Sequence, residues 1–122
     1  MSPAAEVRVL DGTLAVARLD AGVELPGWAS TPSGPVWTVT RTSSETSVCC
    51  AQSVLPADAV ALRDLRALVL AEDPHPDAVG VLAALTAALA AGGVWVLAIC
   101  THDTDHLLVR AAELERALAA LG

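Results

Sequence analysis

The chain has 122 residues, 54% of them hydrophobic, 17% charged and 2% aromatic, which fits one domain, or two very small lobes sharing a core, and is too apolar for intrinsic disorder. Fourteen acidic residues face seven basic ones, all Arg, for a net charge of −7, and Tyr and Phe are absent. A basic phosphate-binding groove and a base-stacking platform both lack their raw material, which argues against nucleic acid as a partner.

Val7 to Leu10 reads as a strand, Asp11-Gly12 as a hairpin turn, and Leu14 to Arg18 as its returning partner. Leu25 to Ala29 allows one helical turn, and Pro32, Gly34 and Pro35 stop anything longer. Val36 to Arg41 and Ser47 to Ala51 read as strands around a polar turn. Asp58 to Leu65 fits a short helix or a loop, and the two stay open. Arg66 to Ala71 is the next strand. Asp77 is placed to cap a helix from Ala78 to Ala91 that Gly92 ends, with Val79, Leu82, Leu85 and Leu89 as its apolar stripe. Val94 to Thr101, a turn at residues 102–105 and His106 to Arg110 form a second hairpin. Ala111 to Leu121 closes the chain as a helix with Leu114, Ala117, Leu118 and Leu121 on one side.

Residues 78–102 carry no formal charge, yet Gly92-Gly93 splits the stretch and strand-forming residues follow, so no membrane span is expected. The first ten residues lack a continuous apolar run, so no secretory signal is expected. Cys49, Cys50 and Cys100 are odd in number, and neighbours on a strand point to opposite faces, so the expected setting is the reduced cytoplasm. An internal likeness appears at an offset of sixty residues, with Val39 against Ile99, Ser44 against Thr104, Glu45 against Asp105 and Val48 against Leu108. Chance similarity of two hairpins and duplication of a small unit both account for it.

Cys100 and His102 share a strand face, His106 lies across the hairpin, and Asp103 and Asp105 add oxygens, but the spacing matches no strong zinc pattern. Turn residues of these types are usually just solvated. No phosphate-cradling glycine loop and no local signature of a thiol nucleophile is present. What remains is Asp77-Ala78-Val79-Gly80 ahead of a helix. Free amides there suit a carboxylate, Gly80 permits close approach, and Asp77 suits an ammonium; together they fit a zwitterion. The plainer reading makes Asp77 a cap and Gly80 a packing contact.

The segment Trp37-Thr-Val-Thr-Arg-Thr-Ser-Ser-Glu-Thr-Ser-Val-Cys-Cys50 resembles part of small tandem ACT-domain proteins. So does the run from Gly80 to Val109, whose Thr101-His-Asp-Thr-Asp-His-Leu-Leu-Val109 is its most specific portion. Leu14 to Ala29 and Glu113 to Leu118 are similar too. The likeness extends to the tandem units of aspartate kinase regulatory regions and CASTOR-type arginine sensors. It implies an α+β fold of two ferredoxin-like (ACT) lobes, residues 1–62 and 63–122, with antiparallel sheets and helices on one face. It further implies a non-enzymatic regulatory or sensor protein, cytoplasmic and homodimeric, that needs no cofactor and binds a small amino-acid-like effector. The implied site gathers Asp77, Val79, Gly80 and Val81, faced by Arg41, Thr42 and Ser43, with Thr101 and Thr104. A ligand-free protein–protein interaction module, or an enzyme using Cys100, His102 and His106 through a metal or a thiol, are the alternatives.

Overall fold

A computed structural model describes residues 7–70 and 78–122. Among the described residues, seven strands and three α-helices follow one another: β1 (Val7–Val9), β2 (Leu14–Leu19), α1 (Gly27–Ser30), β3 (Thr38–Arg41), β4 (Thr46–Ala51), β5 (Ala61–Leu70), α2 (Val81–Ala91), β6 (Val96–Cys100), β7 (Asp105–Arg110) and α3 (Leu114–Leu121). The elements are α and β intermixed, and the strand pairings resolved residue by residue are antiparallel. The chain groups into two compact units, Asp11–Leu65 and the remainder.

In the first unit the strands lie in the order β3-β4-β2-β5, with β5 contributing its first half. Alternation explains its core: Ala15 and Ala17 of β2 and Val48 and Cys50 of β4 point the same way and bury against Ala29 and Leu55. The proline-limited α1 is only four residues long. Trp28 packs on this core, and the Trp37 indole N–H donates to the Ala29 carbonyl at 3.1 Å.

In the second unit β1 pairs with β5, and β5, β7 and β6 follow in that order. Leu68, Leu107 and Val109 present one face, and Leu85 and Leu89 of α2 and Ala117 and Leu121 of α3 pack on it. Both helices therefore lie on the same side of their strands. Leu118, expected in the buried stripe of α3, is 36% exposed.

The structure corrects the expected opening hairpin. β1 and β2 do not pair with each other. β1 pairs with the second half of β5, Val9 opposite Leu68, while β2 pairs with β4 on one edge and the first half of β5 on the other. The bend at Asp11-Gly12, with Gly12 at φ +103°, leads away from β1 rather than folding back on it. Once both edges of β2 are taken, no edge is left for β1.

The open question at residues 58–65 also resolves. Residues 61–65 are strand, continuous with 66–70. Asp64 sits at φ +58° and shifts the register, so that Leu14 faces Leu65 but Val16 faces Leu62. The Gln52 side chain holds this bulge: its Nε2 donates to the Asp64 carboxylate at 2.8 Å, and its Oε1 accepts from the Asp64 amide.

The two hairpins confirm an internal likeness, one residue off the expected offset. Arg41 opposite Thr46 and Cys100 opposite Asp105 are equivalent closing pairs, 59 residues apart. In each turn a threonine amide bonds the carbonyl three residues on, Thr42 to Glu45 and Thr101 to Thr104, both at 2.9 Å. Each threonine hydroxyl donates to that same carbonyl, at 3.3 Å and 3.1 Å. The buried Val48 and Cys50 then correspond to the buried Leu107 and Val109. Among the described residues no helix is long and apolar enough to cross a membrane.

Candidate functional site

A cleft of about 350 Å³ opens in the second unit, between the start of α2 and the turn joining β6 to β7. Ala78, Gly80, Val81, Leu82 and Ala83 form one wall, and residues 101–105 form the other. The helix wall differs from the expected one. α2 begins at Val81, not Ala78, and its capping residue is Gly80 at φ +84° and ψ +4°, with no side-chain cap. That left-handed backbone is comfortable for glycine and strained for other residues. The Ala84 amide makes the first helical bond, donating to the Gly80 carbonyl at 2.9 Å. The amides of Val81, Leu82 and Ala83 precede it and have no carbonyl within the helix to reach. Their N–H dipoles add to the positive end of α2 at the cleft.

The opposite wall is acidic. The Thr101 bonds to the Thr104 carbonyl shape the turn and leave His102 and Asp103 projecting, with His102 Nδ1 2.6 Å from the Asp103 carboxylate. Asp105 lies at the base of β7, opposite Cys100. Burial, and then the Asp105 carboxylate as hydrogen-bond partner and neighbouring charge, push the Cys100 thiol above its usual range. Among the described residues, no arginine lines the cleft. One wall thus offers amides to an anionic group, and the other offers carboxylates to a cationic one.

Of the residues singled out from the sequence, Gly80, Val81, Thr101 and Thr104 meet in this cleft. Asp77 lies outside the described residues. Val79 is 97% exposed and is not part of the lining. Arg41, Thr42 and Ser43 belong to the β3–β4 hairpin of the first unit and do not line the cleft. There the Arg41 guanidinium donates to the buried Thr46 hydroxyl at 3.2 Å, and Thr42 Oγ1 accepts from the Ser44 and Glu45 amides, each at 3.1 Å. Asp103 and Asp105, read from sequence as a solvated pair, do line it, as do Leu82 and Ala83. Their signal was adjacency: the threonines that shape the turn flank the carboxylates it displays.

His106 Nδ1 lies 3.1 Å from the Ile99 carbonyl, and among the described residues no group of three or more His, Cys, Asp or Glu side chains is placed to hold a metal ion. Cys49 and Cys50 are buried, on opposite faces of β4. Burial, followed by the neighbouring Cys50, pushes the Cys49 thiol up to about 12, and burial raises Cys50 as well.

A family model described as an ACT domain matches residues 60–122, half of the chain. The chain belongs to the ACT-domain family. The matched stretch contains both walls of the cleft. Among solved structures, an Agobacterium tumefaciens protein is 29% identical, with a TM-score of 0.84 over 94% of this chain and 84% of that one. A Vibrio cholerae protein of unknown function, described as a possible transport protein, is 19% identical, with a TM-score of 0.76 over 96% of this ACT-family chain and 87% of that one. The ligand-free regulatory subunit of aspartate kinase from Thermus thermophilus is 15% identical, with a TM-score of 0.65 over 95% and 93%. These last two likenesses are of fold. A search of curated protein sequences finds no match.

Proposed function

We propose that this chain is a regulatory protein of the tandem ACT type that binds a free amino acid in the cleft between α2 and the 101–105 turn. The observation that carries the reading is the pairing of opposed walls, with helix-start amides at Val81, Leu82 and Ala83 facing Asp103 and Asp105. A zwitterion presents both complementary charges within one small molecule, and each finds its counterpart here. The tandem reading draws support from the two compact units, whose strands follow one plan with β5 serving both. The chain works as a cytoplasmic homodimer and without catalysis, and the effector acts by favouring one arrangement of the assembly over another.

Thermal unfolding of the purified chain, with each of the twenty standard amino acids in turn, tests the reading. A ligand at a hundred times its Kd stabilises by about 2.7 kcal/mol, which moves the midpoint by several degrees. At least one amino acid is expected to do so. A midpoint that stays put across all twenty removes the proposal.

A further inference from the structure

We infer that the open edge of β6 is the surface on which two copies of this chain meet, with β6 pairing antiparallel to its own copy about a two-fold axis at Ala98. The inference rests on the homodimer proposed above, assigns its interface, and makes no use of the effector.

Among the described strands, β1, β3 and β6 each pair along one edge only. A free edge presents unpaired amides and carbonyls, and chains commonly blunt it with shortness, charge, proline or a bulge. β1 has three residues and carries Arg8, and β3 has four and carries Arg41. β6, Val96-Leu-Ala-Ile-Cys100, has no charge, no proline and no register shift against β7. The groups it leaves free follow from its hairpin. The Thr101 amide bonds the Thr104 carbonyl at 2.9 Å, which sets the alternation along the ladder. Leu97 and Ile99 therefore exchange main-chain bonds with Leu108 and His106, and Val96, Ala98 and Cys100 aim their amides and carbonyls away from β7. Ala98 and Cys100 are exposed, so this edge meets solvent in the single chain.

The occupant that fits the edge is β6 itself. In an antiparallel pair centred on Ala98, each outward residue meets another: Ala98 meets the partner's Ala98, and Val96 meets the partner's Cys100. Every amide and carbonyl on the edge then finds its complement, and the two-fold axis closes the assembly at two. On the other face Leu97 lies against the partner's Ile99, an apolar cross-strand contact. Charge also favours a copy here. A chain of net charge −7 repels its own copy over most of its surface. Residues 78–102, which include α2 and β6, carry no formal charge, so two copies approach there without that cost. The pairing keeps the acidic turns apart as well. Asp103 stands five positions past Ala98, in opposite directions in the two copies, which sets the turns roughly 30 Å apart at about 3.3 Å per residue, several times the Debye length of about 8 Å.

Sedimentation equilibrium of the full chain, with amide hydrogen exchange followed by nuclear magnetic resonance, tests the assignment. The expected mass at high micromolar concentration is twice 12.4 kDa. The amides of Val96, Ala98 and Cys100 should exchange slowly in the dimer and at least roughly tenfold faster on dilution to monomer, while those of Leu97 and Ile99 stay protected by β7 at both concentrations. Ala98→Pro removes an amide that β7 does not use, so it spares the ladder within the chain and strikes the centre of the pair. Ala98→Lys sets two like charges opposite each other and decides the case where the proline variant does not fold. Each should raise the dimer Kd at least roughly tenfold, and Thr40→Lys, exposed on β3, should leave it within about twofold. A wild-type chain that is monomeric at that concentration, or that grows beyond two, overturns the inference, as does a dimer whose Ala98 amide exchanges freely or that survives both Ala98 substitutions. A monomer whose thermal midpoint still rises with an amino acid overturns this inference and leaves the effector reading standing; a dimer paired through β6 with no such rise removes the effector reading alone.

Discussion

Gly92 decides how closely α2 can approach α3, and replacing it tests that packing in sign as well as size. Gly92 ends α2 at φ −84° and ψ 0°, a backbone open to any residue. Were space available, Gly92→Ala would restrict the unfolded chain and gain about 0.4–1 kcal/mol. The space is taken: a Cβ at this position would stand 2.8 Å from the Ala120 Cβ of α3. Two carbons rest at about 3.5–4.0 Å, so one helix must give way by several tenths of an ångström or more. Overpacking of this kind costs about 1–3 kcal/mol, which outweighs the entropic gain. For a chain of this size each kcal/mol moves the thermal midpoint by roughly 3–5 °C. Gly92→Ala should therefore lower the midpoint by several degrees, measured by far-ultraviolet circular dichroism. Ala120→Gly should cost about 1 kcal/mol through helix propensity alone. The double variant should lose less than the sum of the two, with a coupling of at least about 0.5 kcal/mol. A Gly92→Ala protein as stable as the wild type, or two strictly additive losses, would show that these helices do not meet in this way.

The raised Cys49 thiol makes stability depend on pH at the alkaline end. Unfolded, Cys49 loses its proton near its ordinary value of 9.0; folded, it holds the proton to about 12. Between those values the unfolded state binds fewer protons, so stability falls as pH rises through this window and is fully retained below it. Urea melts at pH 8 and pH 10.5 should show the loss for wild type and a smaller one for Cys49→Ala; equal losses would contradict it. With iodoacetamide at pH 8, folded protein should take one label, at the exposed Cys100, and three only in denaturant, as mass spectrometry would show. Early labelling of Cys49 or Cys50 would refute their burial. A fragment of residues 60–122, the stretch matched to the family, lacks β1. It should lose about 2–4 kcal/mol from the half-buried Val7 and Val9 and the vacated β5 edge, and melt well below the full chain; an equal midpoint would make β1 dispensable.

Elements governed by local rules were legible in the sequence. Gly92 stopped α2, and alternating apolar residues in 96–100 and 105–110 formed the second hairpin. Pro32, Gly34 and Pro35 kept α1 to a single turn. What local rules do not contain was misread. The Asp11-Gly12 dipeptide is a strong hairpin signal, but which edge β1 joins is settled by competition among distant strands. The Asp64 bulge breaks the two-residue period within β5, so a ten-residue strand looked like half a strand and an undecided half. At the cleft, Gly80 was legible from its own residue type, whereas Thr101 was named only through the likeness to tandem ACT domains. Asp103 and Asp105 were not legible, because a carboxylate in an exposed turn and one on a cleft wall look the same in one dimension.

β5 contributes residues to both units: Ala61 packs on the first unit's core, and Leu68 and Leu70 pack on the second's. The bulge at Asp64 lies between them, and Asp64 tolerates the left-handed backbone better than a branched residue would. The first unit thereby obtains its fourth strand and the second unit its first strand from ten consecutive residues, in a chain of 122. In the second unit β1 pairs with the second half of β5, opposite Leu68, Val69 and Leu70. Leu70 is also the last described residue before the segment that leads to Gly80. Among the described residues, β1 thereby holds the strand that precedes the cleft wall in the sequence, with Val9 opposite Leu68.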